Sequence, residues 1–125
     1  MTLEAEIIAQ GVESWEFKNA SAKKAALNHN PVETLTAAGA ASIWGVTVMD
    51  STSAAVNLTL ANGEQYGQMK TFVMIEASNS STITVAQHVT SNPEVFTMAA
   101  AGDSLVLMWD GTDWSTVANN GAATV

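Results

Sequence analysis

The sequence predicts an all-β protein, a compact antiparallel β-sandwich or barrel with an irregular N-terminal arm. Hydrophobic residues make up 47% of its 125 residues and charged residues only 13%, which is enough apolar material for a packed core. From Leu35 onward, short runs of β-branched and aromatic residues alternate with Gly, Asn, Asp and Ser clusters at intervals of about ten residues, as in antiparallel sandwiches. The strongest pattern, Gly102 to Val117, contains Asp110-Gly111, which predicts a tight hairpin turn.

The first 34 residues differ from the rest and are predicted to form the arm, with residues 35–125 forming the β-domain. Most of the lysines lie in the arm, and alternation of period two is weak there. Leu3, Ile7 and Ile8 have the spacing of a short helix, whereas Trp15 and Phe17 alternate as in an extended segment. The segment Asn28 to Thr34 is predicted to be a linker, because Pro31 stops any preceding helix.

The β-domain is predicted to contain seven strands in succession. Val56, Leu58 and Leu60 alternate with polar residues and are expected to face inward, as are Ile83 and Val85. The tail from Asn119 is small and polar, so we expect it to add little to the core. The predicted strands are Ser42 to Met49, Ala54 to Ala61, Gln68 to Ala77, Thr82 to Ala86, Glu94 to Met98, Ser104 to Trp109, and Trp114 to Val117.

Two of these strands are apolar on both faces. Such a strand needs a second layer, which could come from another sheet of the chain, from the arm or from a neighbouring subunit. The small size of the domain favours the neighbour. The residues predicted to form an oligomer interface are Phe72, Met74, Val106 and Met108.

Composition excludes several functions. The net charge is −8 and the chain has no Arg, so direct nucleic-acid binding, which needs clustered cations, is not expected. No apolar run approaches the roughly 18 residues of a membrane span. The chain has no Cys, which excludes disulfides and thiolate metal sites. The acidic N-terminus does not resemble a signal peptide.

No residue pattern indicates catalysis, a cofactor or a metal. His29 and His88 are the only histidines, and both are expected at the surface without a nucleophile motif around any Ser. The segment Asp110 to Asp113 matches part of a calcium loop, but the remaining ligands are missing, so a turn is favoured. The four tryptophans could form a sugar-binding platform, although packing is favoured for them; they are Trp15, Trp44, Trp109 and Trp114.

Residues 35–117 resemble a module of tailed-bacteriophage virion proteins. The resemblance depends on a Gly-Gln-x-Lys strand and a closing Gly-Asp-Ser hairpin with an aromatic return strand. The matching segments are LTAAGA from Leu35, VTVMDS from Val46, VNLTLANG from Val56, GQMKTFVM from Gly67 and GDSLVLMWDGTDW from Gly102.

The resemblance implies a non-enzymatic structural virion protein. A small capsid decoration (cement) protein is favoured, because the chain is short and carries one copy of the module. Such a protein would be a homo-oligomer, with a trimer favoured, on the outer capsid surface, and its arm would clamp the major capsid protein through Leu3, Ile7, Ile8, Trp15 and Phe17. The alternative is a tail-fibre module that binds a receptor or carbohydrate.

Overall fold

The structure, a computed structural model, describes residues 8–9, 11–12 and 31–124. The chain divides into two units, Met1–Asn30 and Pro31–Val125. In the first unit, strands β1 (Ile8–Ala9) and β2 (Gly11–Val12) pair antiparallel. The other arm residues predicted to bind a capsid, Leu3, Ile7, Trp15 and Phe17, lie outside the described residues.

The second unit consists of ten strands and, across residues 31–124, contains no helix, so none that could cross a membrane. The predicted boundary at residue 35 falls inside its first strand, whose backbone pairs with the next strand of the same sheet. The strands are β3 (Val32–Leu35), β4 (Gly39–Ala40), β5 (Gly45–Asp50), β6 (Leu58–Leu60), β7 (Met69–Glu76), β8 (Ser81–Val85), β9 (Glu94–Met98), β10 (Ser104–Trp109), β11 (Trp114–Asn120) and β12 (Ala123–Thr124).

These strands form two open five-stranded sheets, so the predicted all-β class is confirmed as a sandwich. The first sheet has the order β11-β10-β7-β5-β3 and the second has the order β12-β9-β8-β6-β4. Both sheets are mixed, because β3, β5 and β7 run parallel in the first, as do β4, β6 and β8 in the second. The sequence predicted only antiparallel pairing.

The parallel pairs arise because the chain changes sheet after each strand from β3 to β7. Parallel neighbours cannot be joined by a tight turn and need a long crossover, which is usually a helix. Here the crossover is a strand of the opposite sheet. Turn signals such as Asn62-Gly63 therefore send the chain across the sandwich. Within residues 31–124, the consecutive strands that pair as antiparallel hairpins are β8–β9 and β10–β11.

The core lies between the two sheets and follows the period-two pattern of the strands. The predicted inward residues of β6 and β8 are confirmed, since Val56, Leu58, Leu60, Ile83 and Val85 are at most 1% exposed. In β5 the residues that face the core are Gly45, Thr47 and Met49. Val46 and Val48, which alternate with these residues, therefore lie on the outer side of that strand.

The hairpin of β10 and β11 is confirmed, but its turn is longer than predicted. Trp109 pairs with Trp114, which leaves the four residues Asp110 to Asp113 as the loop. Only Gly111 in this loop has a positive φ, so Asp110-Gly111 does not form a two-residue turn. Asp110 instead stabilises the loop by accepting hydrogen bonds at Oδ1 from the N–H groups of Thr112 and Asp113.

The C-terminal tail contributes more than the sequence predicted. β11 continues to Asn120, and Gly121, with a φ of 84°, turns the chain toward the other sheet. β12 then pairs with β9, and Ala122 is part of the core. The expectation that the tail adds little was wrong, because its polar residues conceal a short edge strand.

Gly63, in the loop that follows β6, allows Trp109 to pack in the core. A Cβ built on Gly63 would lie 2.7 Å from Trp109 Cβ, whereas one built on Gly39 meets nothing within 4 Å. We therefore expect Gly63→Ala to lower the free energy of unfolding by about 1–3 kcal/mol through overpacking. Gly39→Ala, the matched control, should change it by less than about 0.5 kcal/mol. Urea denaturation checks both, and equal midpoints for the two variants would contradict this packing.

Candidate functional site

His88 is buried rather than exposed, contrary to the sequence expectation. Its side chain is 5% exposed, and its two ring nitrogens lie 2.8 Å from Thr90 Oγ1 and 3.0 Å from Thr116 Oγ1. Thr90 Oγ1 in turn donates to Glu94 Oε1. Burial lowers the pKa of His88, while the charges of Glu94 and Asp113 act in the opposite direction. The network ties the loop after β8 to β11, and His29 lies outside the described residues.

The segment from Asp110 to Asp113 is a hairpin loop in which the carboxylate of Asp110 is hydrogen-bonded to the backbone. Two backbone N–H groups bind Asp110 Oδ1, and they lower the pKa of Asp110. In the part of the chain that the structure describes, no three His, Asp or Glu side chains are grouped to hold a metal ion.

The tryptophans of the β10–β11 hairpin do not form a sugar-binding platform. Trp109 is 5% exposed and Trp114 is fully buried, with their rings edge to face at a centroid distance of 5.5 Å. Trp114 Nε1 donates to the carbonyl of Ala61 on the opposite sheet, which satisfies its polar atom in the core. Trp44 is partly exposed, and Trp15 lies outside the described residues.

The four residues predicted to form one interface lie on opposite faces of the first sheet. Phe72 and Met74 are fully buried in the core. Leu105 pairs with Phe72, whereas Val106 pairs with Thr71 on the outer side. The prediction was wrong in treating the four as one face, because the pairing register of β7 and β10 was unknown. Val106 and Met108 do lie on the outer face and are half-buried.

The outer face of the first sheet carries two rows of uncharged side chains, and the carboxylates of Asp50 and Glu76 lie beyond these rows, where β5 and β7 end. One row runs through directly paired residues, from Ala118 through Val106, Thr71 and Val46 to Val32. A second row contains Ser104, Val73, Val48 and Thr34. We call this surface the valine face; its further apolar members are Met69, Ile75 and Met108.

The outer face of the second sheet is rich in threonine. Thr59 pairs with Thr84, and Thr82 pairs with Thr97. Where β6 and β8 end, this face has a groove of about 490 Å³, here called the threonine groove. Its described lining residues are Thr59, Leu60, Ala61, Thr84, Ala86, Asn92 and Pro93.

A buried lysine network lies in the core, and the sequence interpretation missed it. Lys70 has no exposed surface, donates to the carbonyl of Trp44 at 3.0 Å and lies 3.9 Å from Glu33 Oε2. The same Glu33 oxygen accepts hydrogen bonds from Thr47 Oγ1 and from the Ser42 N–H, both at 2.7 Å. Burial lowers the pKa of Lys70 to about 8, although Glu33 acts to raise it.

The position of Lys70 could have been inferred from the alternation of β7. Lys70, Phe72 and Met74 follow one another at period two, so all three must face the same side of the sheet. Assigning Phe72 to the core therefore assigns Lys70 to it as well.

The chain matches no protein-family model and no curated protein.

The lysine network gives the protein a specific pH dependence. The folded-state pKa of Lys70 is about 8 and its unfolded value is 10.5, so between these values the unfolded chain binds more protons. Stability should therefore rise as the pH increases from 8 to 10.5, by up to about 3 kcal/mol. Below pH 8 the lysine is charged in both states and this contribution is constant.

The variant Lys70→Met should lose this rise, because methionine does not titrate. Denaturation midpoints of both proteins across the pH range provide the measurement. Glu33→Gln removes the charge that raises the lysine pKa, so its rise in stability should begin at a lower pH. A rise of equal size in Lys70→Met would assign the effect to another group.

Proposed function

We propose that this chain is a structural protein of a phage virion, which forms a homo-oligomer and decorates the outer capsid surface. In this proposal the valine face joins copies of the chain, with a trimer favoured, and the N-terminal segment clamps the major capsid protein. The uncharged valine face is the observation that carries the proposal. Extended apolar surfaces of this kind are typical of protein interaction sites.

The distribution of charge supports assembly through this face. From Pro31 to Val125 the sequence has eight acidic residues, and its single Lys or Arg is the buried Lys70. The surface side chains of this unit therefore supply negative charge without positive charge, and two copies repel each other in most orientations. The two rows of the valine face contain no carboxylate, and Asp50 and Glu76 lie only at its margin, so copies can approach along the rows without directly opposing like charges.

The size of the valine face indicates that it does not act alone. Five strands about 4.8 Å apart, with between two and four outward positions each, present roughly 400 Å². A stable interface buries about 800 Å² on each partner, so about half of the contact must come from elsewhere. Loops at the rim or the N-terminal segment could supply it, which is consistent with a protein that binds its own copies and a capsid together.

The virion setting is supported by the resemblance of residues 35–117 to the phage module. A protein that binds only the assembled shell stabilises that shell by mass action, without any catalytic group. The carboxylate of Asp110 is bound by backbone N–H groups and the ring of His88 is buried, which is consistent with such a non-enzymatic role.

A charged residue at the centre of the valine face should prevent assembly. We expect the unaltered protein to sediment as an oligomer at micromolar concentration and Val73→Lys to sediment as a monomer, because oligomerisation would bury the new ammonium group. Thr97→Lys is the matched control, since Thr97 is equally half-buried on the outer face of the second sheet. It should remain oligomeric. A monomeric unaltered protein, or an oligomeric Val73→Lys with a native circular dichroism spectrum, would overturn assembly through this face.

The virion location is tested separately by immunoelectron microscopy of phage particles purified from cells that produce this chain. Gold label on the heads is expected. Label confined to the tail would support the fibre alternative instead, and unlabelled particles would contradict a virion role.

A further inference from the structure

We propose that the threonine groove is a binding site for a neutral saccharide. The groove lies on the second sheet, so the inference does not depend on the proposed assembly through the valine face. It also differs from a tryptophan platform, because none of its described lining residues is aromatic.

The polar groups of the groove suit hydroxyl ligands. Thr59 and Thr84 are directly paired on adjacent parallel strands, so their side chains stand side by side on the outer face. Each hydroxyl can both donate and accept a hydrogen bond. Asn92 accepts a bond from the His88 N–H through Oδ1, and within residues 31–124 no hydrogen bond uses its Nδ2 donors. Two hydroxyls and one amide therefore converge on one groove.

The remaining lining residues supply an apolar surface of matching size. Pro93, Ala61 and Ala86 present aliphatic carbons beside the polar groups. A pyranose ring likewise separates apolar from polar groups, with C–H groups on its faces and hydroxyls around its rim. The volume of about 490 Å³ lies within the range of small-ligand sites and accommodates one or two sugar rings.

Charge selects a neutral saccharide over an anionic one. None of the seven described lining residues is charged, and the only Lys or Arg from Pro31 onward is Lys70, buried on a strand of the other sheet. A carboxylate or phosphate on the ligand would find no cation in this unit and would be repelled by its acidic residues. The two outer faces point in opposite directions, so the groove also stays open when copies join through the valine face.

Nitrogen-15 NMR on the full chain tests the site with lactose and sialyllactose, which differ by one anionic sugar. Millimolar lactose should shift the amide signals of Thr84, Ala86 and Asn92, and sialyllactose should bind more weakly. Loss of one hydrogen bond in Thr84→Val should weaken lactose binding by about three- to tenfold. Thr97→Val, on the same face but outside the groove, should bind as the unaltered protein does.

Four results would overturn the proposal. In the first two, the protein shows no response to lactose, glucose or N-acetylglucosamine, or its shifts cluster away from the groove, for example at Trp44. In the third, sialyllactose binds as tightly as lactose or more tightly. In the fourth, a neutral proline-containing peptide shifts the groove signals and none of the sugars does. Each of these leaves the sedimentation of the oligomer unaffected, so the two proposals fail separately.

Discussion

The structure depends on the requirement that both sheets form together. From β3 to β8, strands that are neighbours in sequence belong to opposite sheets, and strands that are hydrogen-bonded are separated by a pass through the other sheet. Neither parallel ladder can therefore form before the chain has formed part of the opposite sheet. The core residues contributed by both sheets, such as Met74 and Ile83, become buried in the same step. This coupling favours a single cooperative unit and slow formation of the non-local pairs.

Two antiparallel strand pairs complete this arrangement by covering one edge of each parallel set. β10 and β11 extend the first sheet beyond β7, and β9 with β12 extends the second sheet beyond β8. Between them, the loop after β8 binds β11 through the backbone of Trp114 and the side chain of His88. Polar groups at this end of the sandwich are thus used to connect the sheets, while the valine face and the threonine groove present uncharged side chains for contacts with other molecules.

Much of the fold follows from sequence patterns, but not the pairing of the strands. Period-two alternation identified the inward residues of β6 and β8 and the hairpin of β10 and β11. It could not distinguish a turn that joins neighbours from one that crosses the sandwich, because both use Gly and Asn. Alternation also could not define the predicted oligomer interface. Val106 and Phe72 are both apolar, and only the pairing register shows that Val106 faces outward and Phe72 faces the core. The threonine groove depends on pairing between β6 and β8, which single-sequence alternation does not encode.

The burial of Lys70 limits the access of trypsin and of amine-reactive reagents to the sandwich. Trypsin cleaves after lysine and arginine, and from Pro31 to Val125 its only target is a side chain in the core of a strand. Cleavage there requires β7 to leave both its neighbours, so the rate at which trypsin cuts this unit reports its unfolding rather than local fraying. Acylating reagents are restricted in the same way, since the remaining lysines, Lys18, Lys23 and Lys24, all precede Pro31. A fluorophore coupled to the amines of the folded protein would therefore mark the N-terminal thirty residues and leave both outer faces of the sandwich unmodified.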